Sequence, residues 1–354
     1  MSNSFFAGLE AFMEDNPVEA TATVSIQPEK AEEEIEKQQD LADASQELDE
    51  ADHAVEKTEE MLSRIGAMYD YVQKNGVDRT FLAMFNSDGE LSKLIKREIP
   101  SCEAFNAMDS GDISKICCEG FSEVLKTALL TLRDDLMRGS TAFRRAIQSL
   151  MSDAKSCKEK LSSLKEQVKS VKEIPESSVK GYTKDEFKKW TAIDPAKLRD
   201  NALSALNTIQ SWTFSDALTP EATKLADELE EDIDKIEKAE PEKQSLSINT
   251  WSKADLLSAI DYSIKACDSI IKANDQYEGF WKTGFNQGKL VALFGNLFSS
   301  KDLVTAGISG GVTALRRNII RIARTSWRNM NTLSSIDNKV IHGVIRMSQT
   351  AVKQ

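Results

Sequence analysis

Histidine and cysteine, the side chains that most often bind transition metals or act as nucleophiles, are rare in this sequence. The chain has two histidines, His53 and His342, and five cysteines at irregular spacing. No Cys-x-x-Cys pair is present to supply a tetrahedral zinc site, and adjacent Cys117 and Cys118 would point in different directions on a helix. An odd number of cysteines also argues against a disulfide framework. We therefore predict no metal site, and buried reduced thiols at Cys102, Cys117, Cys118, Cys157 and Cys267.

Phosphate-binding and acid–base chemistry are equally weakly supported. The segment TGFNQGKL, with Gly284, Gly288 and Lys289, resembles a nucleotide-binding loop, but it is one residue short and Leu290 replaces the Ser or Thr that would bind magnesium. Carboxylates are abundant, yet they lie on charged helical faces without a histidine partner. We predict a protein with no catalytic residues and no cofactor.

The arginines near the C-terminus are the strongest functional signal. In the stretch TALRRNIIRIARTSWRNM, four arginines recur at intervals of four, three and four residues, which places them on one face of a helix, with Arg316 beside them. Like charges so close repel each other, so an anionic partner would stabilise them: nucleic acid, an acidic protein surface or the chain's own acidic arm. The alternative is a solvated face with intramolecular ion pairs. The predicted phosphate-contacting residues are Arg316, Arg317, Arg321, Arg324 and Arg328.

Charge is distributed unevenly along the chain. Residues 1–60 contain eighteen Asp or Glu and three Lys, a net charge of -15, so the other residues carry +3 of the total of -12. From Lys282 to Gln354, eleven Lys or Arg face only Asp302 and Asp337. The acidic end is interpreted either as a solubilising tail or as a mask over the basic region.

Helical periodicity dominates the remaining sequence. A seven-residue apolar repeat runs from Leu41 to Val72, and a second run extends from Leu150 to Val171. We expect the second run to pair with the first as an antiparallel helix of the same chain, in preference to a homodimer. The fold class predicted is all-α: an elongated helical bundle with coiled-coil-like long helices and a flexible acidic N-terminal arm.

Breaks in these patterns suggest four regions. They are an acidic arm over residues 1–47, a long-helix bundle over 48–174, a helical connector over 175–245 and a basic C-terminal helical bundle over 246–354. The start of the chain has no basic residues before its apolar stretch, so no secretory signal is predicted and synthesis in the cytoplasm is expected.

A membrane span is not expected. The apolar segment from Leu290 to Leu315 is interrupted by Lys301 and Asp302, which leaves pieces too short to cross a bilayer. We interpret it as two buried helices joined at a turn.

The opening FFAGLEAFMEDN, followed by an acidic helical arm and a helical body with a basic end, resembles the internal head proteins of large tailed bacteriophages. The resemblance implies a structural protein of the capsid interior, packaged with DNA and with other head proteins. It also implies an N-terminal propeptide that a prohead protease removes after a glutamate, with a small or aliphatic residue two positions earlier. Ser45-Gln46-Glu47 fits that pattern, and other matching tripeptides begin at Ala31, Leu48 and Thr58.

A second function, of a different class, fits the same residues. A cytoplasmic helical adaptor or scaffold would bind a protein partner through its heptad helices, with the acidic arm as a regulatory tail. A head protein should occur in virions as a shortened chain, whereas an adaptor should stay at full length. The sequence leaves the oligomeric state open.

Overall fold

The computed structural model describes residues 28–78, 80, 81, 83, 84, 110–212, 216, 219–280 and 315–353. Within them, the elements with defined ends are α1 (Pro28–Asn75), α2 (Ser110–Ser170), β1 (Ser178–Gly181), α3 (Lys184–Ala192), α4 (Pro195–Ser211), α5 (Pro220–Ala239), β2 (Gln244–Ser247), α6 (Lys253–Phe280) and α7 (Arg321–Val352). A 3-10 turn, Ile248–Thr250, precedes α6, and a π-helical turn, Leu315–Ile320, precedes α7. The predicted all-α class is confirmed.

The seven-residue repeat forms the buried side of α1. Tyr69 is partly buried, and the other members whose side chains are described are almost fully buried: Ala44, Leu48, Ala51, Val55, Thr58, Leu62, Ile65 and Val72. Thr58 of α1 donates a hydrogen bond to Asp135 of α2, and Glu47 of α1 accepts one from Arg145 of α2. Residue numbers therefore increase along α2 as they decrease along α1. The two long helices therefore pack as an antiparallel pair within one chain.

The buried side of α1 formed by this repeat is called the seam below. The expectation about the partner of the seam was wrong in one respect. The seam packs against the preceding part of α2, from Ala128 to Ile147. The run from Leu150 to Val168 is instead buried with residues of α6 and α7. Because α1 ends at Asn75 and α2 begins at Ser110, an antiparallel return brings the earlier half of α2 beside the seam. Both halves belong to a single uninterrupted helix of 61 residues.

Helices α2 and α7 occupy the centre of the bundle. Helix α2 contacts α1, α6 and α7, and α7 also contacts α4, α5, α6 and strand β1. Two glycines allow α7 and the end of β1 to approach closely. A Cβ added at Gly343 of α7 would lie 2.4 Å from the ring of Tyr182, and a Cβ added at Gly181 of β1 would lie 2.7 Å from Met347. Close packing of this kind leaves no room for even one methyl group.

A short antiparallel ribbon is the one described exception to helical structure. Strand β1 pairs with β2 in a register that places Lys180 opposite Ser245. The ribbon is extended at Ile248, whose N–H donates to the carbonyl of Ser177 at 2.9 Å. It joins the segment after α2 to the segment before α6, and it lies against α7.

The region predicted as a helical connector, residues 175–245, contains the acidic helix α5. The hydroxyl of Thr219 accepts a hydrogen bond from the N–H of Ala222, and Pro220 occupies the first turn, where its missing N–H costs nothing. The helix ends at Ala239, two residues before Pro241. Its buried side consists of Ala222, Ala226, Leu229, Asp232, Ile236 and Ala239.

No helix in the described part of the chain is long and apolar enough to cross a membrane. Residues 290–314, which the sequence predicts to form two buried helices, lie outside the described residues. So do residues 1–27 of the predicted acidic arm, whereas residues 28–47 are helical within α1.

Candidate functional site

The predicted arginine face lies at the start of α7. The opposite side of this helix is buried, with Ile322, Ser326 and Met330 inaccessible to solvent. Trp327 packs in the core, stacked on Phe143 at a ring separation of 6.4 Å. The burial of this side directs the arginines of the next positions outward. The side chains of Arg316 and Arg317 lie outside the described residues.

Two of the three described arginines of this face are paired with α5. Arg321 lies 2.8 Å from Asp227 and also forms two hydrogen bonds with Glu230. Arg328 lies 3.2 Å from Glu237 and keeps 59% of its side chain exposed. The acidic helix thus supplies counter-charges to α7. The hydrogen bonds with Glu230 hold the pKa of Arg321 above its usual value.

The third arginine is paired with α1. Arg324 forms hydrogen bonds with Asp52 and lies 3.5 Å from Glu59, whose side chain is only 5% exposed. Burial by itself lowers the pKa of Arg324, but the bonds with Asp52 and the charges of Asp52, Glu59 and Glu56 together outweigh burial, so the pKa is raised. This pairing joins the acidic N-terminal helix directly to the basic C-terminal helix.

Acidic residues of α1 also cover two arginines of α2. Arg138 lies 2.7 Å from Glu50, and Arg145 pairs with Glu47. All four side chains are at least one-third exposed, so each pair is in contact with solvent. Asp49 lies between Glu47 and Glu50 in the sequence. Burial and the neighbouring charge of Asp52 raise the pKa of Asp49 to about 6.

The predicted processing tripeptide lies inside helix α1. Glu47 is paired with α2 as described, and the amide of Gln46 donates to Glu50 at 3.1 Å. The side chain of Ser45 lies outside the described residues. Leu48, the next residue, is the first large apolar side chain of the seam whose burial is described.

A second basic group was not predicted from the sequence. Lys180 on β1, Lys243 before β2, and Lys339 and Arg346 on α7 lie close enough to interact electrostatically. Burial, and then the charges of the other three cations, lower the pKa of Lys243 to about 8. Lys339 is paired with Glu240 at 3.1 Å. The four residues come from three distant parts of the chain, so no sequence spacing brings them together.

A buried polar network centred on Asp337 joins four helices. The carboxylate of Asp337 accepts hydrogen bonds from Arg199 at 2.6 Å, Trp190 at 2.9 Å and Tyr262 at 3.0 Å. The side chains of Arg199 and Asp337 are 0% and 1% exposed. Because solvent has no access to this pair, the network serves packing between α3, α4, α6 and α7.

The partly buried histidine, His342, contacts two side chains that can bind metal ions. His342 of α7 lies 2.7 Å from the carboxylate of Asp153 and 3.8 Å from the sulfur of Cys157, both on α2. Burial lowers the pKa of His342, but the hydrogen bonds and charges of Asp153 and Cys157 together outweigh burial and raise the pKa to about 10. Sequence spacing offers one signal, since Asp153 and Cys157 are one helical turn apart. Nothing in the sequence indicates that His342 faces them.

Comparison with known proteins provides one match. The family model described as phiKZ-like phage internal head proteins matches residues 28–225, which is more than half of the chain. The match begins where α1 begins and extends into α5, so it covers the long antiparallel pair. No curated protein and no solved structure matches this chain.

Proposed function

Because the chain belongs to the family of phiKZ-like phage internal head proteins, we propose that it is packaged with DNA after removal of an acidic N-terminal propeptide. Membership places it among the structural proteins of the bacteriophage capsid interior. The two finer steps, proteolysis and association with DNA, are supported by the distribution of charge between α1 and its neighbours. Neither step requires a catalytic residue of this chain.

The observation that carries the proposal is the set of ion pairs made by α1. Glu47, Glu50 and Asp52 each neutralise an arginine of α2 or α7. Packaged DNA carries one negative charge per about 1.7 Å of helix axis. It therefore repels every carboxylate of a neighbouring protein that has no counter-charge. Removal of residues 1–47 would therefore lower this repulsion and release Arg145, while Glu50 and Asp52 would keep their arginines.

Charge counting supports a cut after Glu47. Residues 1–47 contain twelve Asp or Glu and two Lys, a net charge of -10, which leaves -2 for residues 48–354. The cut would release Arg145 from its partner. It would also precede Leu48 and Val55, so the buried seam of α1 would stay with the body. A cut after Glu60 would instead remove both residues from the core.

The proposed DNA contacts are nonspecific phosphate contacts. Arg328 is the most exposed described arginine of the α7 face, and its partner Glu237 is half exposed, so phosphate competes with this carboxylate in high dielectric. Arg321 and Arg324 would contact phosphate only after displacement of their carboxylates. Arg316 and Arg317 extend the same face in sequence.

Proteolysis is tested by intact-mass measurement and N-terminal peptide mapping of the protein from purified virions, beside the full-length recombinant chain. We expect a mature chain that begins at Leu48. The variant Glu47→Gln should persist at full length, whereas the control Glu33→Gln, which alters another matching tripeptide, should mature normally. A virion protein that retains residues 1–47 would refute processing and favour a full-length helical scaffold.

A further inference from the structure

Three side chains with metal-ligand chemistry converge between the two central helices. Asp153 and Cys157 lie one turn apart on α2, and His342 approaches them from α7. Their nearest ligand atoms all lie within 4.8 Å of one another. The thiol of Cys157 is fully buried, while about 30% of the His342 and Asp153 side chains is exposed, so the group opens to solvent on one side.

The separations are close to those of a tetrahedral zinc site. Zinc bonds of about 2.0–2.2 Å to nitrogen or oxygen and about 2.3 Å to sulfur place tetrahedral ligand atoms roughly 3.3–3.6 Å apart. The sulfur of Cys157 lies 3.8 Å from His342 Nε2 and 3.7 Å from Asp153 Oδ1. The contact between His342 Nε2 and the other carboxylate oxygen, Asp153 Oδ2, is 2.7 Å and must open by about 0.6 Å.

We propose that Asp153, Cys157 and His342 bind one Zn²⁺ ion, with water as the fourth ligand. One imidazole, one thiolate and one carboxylate form a ligand set that suits zinc better than magnesium or calcium, which prefer oxygen ligands alone. The ion would replace the proton between His342 and Asp153 and the proton of the thiol. Asn338 also hydrogen-bonds to Asp153, which orients the carboxylate from one turn before His342.

The consequence of the site is a cross-link between α2 and α7. These helices belong to different ends of the chain and contact most of the other elements. A metal bound only in the folded chain stabilises it by mass action. The inference is independent of the proposed function, because neither processing nor DNA binding involves these three residues.

The test is a Zn²⁺ titration of the reduced full-length chain against a chromophoric chelator. The starting protein carries serine in place of Cys102, Cys117 and Cys118, so that only two thiols remain. We expect one equivalent of bound zinc. The variants Asp153→Asn, Cys157→Ser and His342→Asn should each weaken binding by more than about 100-fold, because loss of outer-shell partners alone costs 10–100-fold.

Two matched controls distinguish this site from adventitious binding. Cys267→Ser removes the other described free thiol, and His53→Asn removes the other histidine, which is exposed on α1. Both variants should still bind one equivalent of zinc, although Cys267 interacts electrostatically with Cys157 and Asp153. Binding that survives His342→Asn, or that is lost in either control, would overturn the proposal.

Cobalt binding tests the site without a substitution at Asp153, Cys157 or His342. Co²⁺ added to the reduced starting protein should give the visible absorption of a tetrahedral ion and a thiolate charge-transfer band. The melting temperature of this protein should also rise with added Zn²⁺ and return with chelator. Absence of stoichiometric binding and of both spectral features would identify the three residues as a hydrogen-bonded cluster without a metal.

Discussion

Neutralising two carboxylates of α1 should strengthen DNA binding in a way that depends on the arginines they cover. The perturbation is the double variant Glu47→Gln, Glu50→Gln in the full-length chain. It releases Arg145 and Arg138, whose side chains are 52% and 51% exposed and can reach a phosphate while α1 remains in place. Both pairs are exposed, so their loss should cost less than about 1 kcal/mol each in folding stability.

The magnitude follows from counterion release. Each new phosphate contact steepens the slope of log Kobs against log salt by about 0.9, so two contacts change the slope by about 1.8. Between roughly 50 and 200 mM salt, the variant should lose about 12-fold more affinity than the unmodified chain. Fluorescence anisotropy with a labelled duplex of arbitrary sequence, measured across that range, gives both slopes.

A control variant separates released arginines from a simple change of net charge. Glu173→Gln, Glu176→Gln removes the same two charges from exposed positions after α2 that make no ion pair within the described part of the chain. It should raise affinity slightly at low salt and leave the slope nearly unchanged. If the double variants of α1 and of this segment give equal slopes, Arg138 and Arg145 do not contact phosphate and the masking argument fails.

The remaining predictions concern stability, measured by chemical denaturation. Asp337→Ala should lower the free energy of unfolding by about 3–5 kcal/mol, because it leaves the buried guanidinium of Arg199 unpaired. Asp200→Asn, which breaks an exposed pair, should lower it by less than about 1 kcal/mol. Equal losses would contradict the role given to burial. Lys243 has its pKa lowered to about 8, so the unfolded chain binds more protons above that pH, and stability from this group should rise between about pH 8 and 10.5. Lys243→Gln should therefore stabilise the protein at pH 7 and lose that advantage above about pH 10.5; a gain that does not vary with pH would exclude titration as its cause. Gly343→Ala should destabilise by about 1–3 kcal/mol through overpacking, while Gly279→Ala, where the added Cβ meets nothing within 4 Å, should stabilise by up to about 1 kcal/mol.

Periodicity predicted those features that depend on a single helix. The repeat through Leu48, Val55 and Leu62 correctly identified the buried side of α1, because a buried seam must recur along its own helix. The same reasoning placed Arg321 and Arg324 on the side of α7 opposite its buried residues. Each of these inferences uses only the geometry of one helix.

Contacts between different helices could not be predicted from the periodicity of one helix. The sequence shows that the arginines of α7 need anionic partners, but Asp227 and Asp52 are far apart in sequence, and their selection depends on how α5 and α1 pack. The same holds for Asp153 and His342, which are separated by 189 positions. Turn-forming residues do predict the ends of α5, since Thr219 caps it locally.

Burial divides the described ion pairs of α1 into two kinds: Glu47 and Glu50 form exposed pairs, whereas Glu59, which follows the proposed cut, is buried. The described pair before the cut, Glu47 with Arg145, is exposed and so contributes little to stability. The pairs after it include the contact of Arg324 with Glu59, which is 5% exposed and costly to break from one side. Cleavage after Glu47 would therefore discard a net charge of -10 while the buried contacts that hold α1 against α7 persist. A cut after Glu60 would break them, which is why charge removal and structural integrity together favour the earlier site.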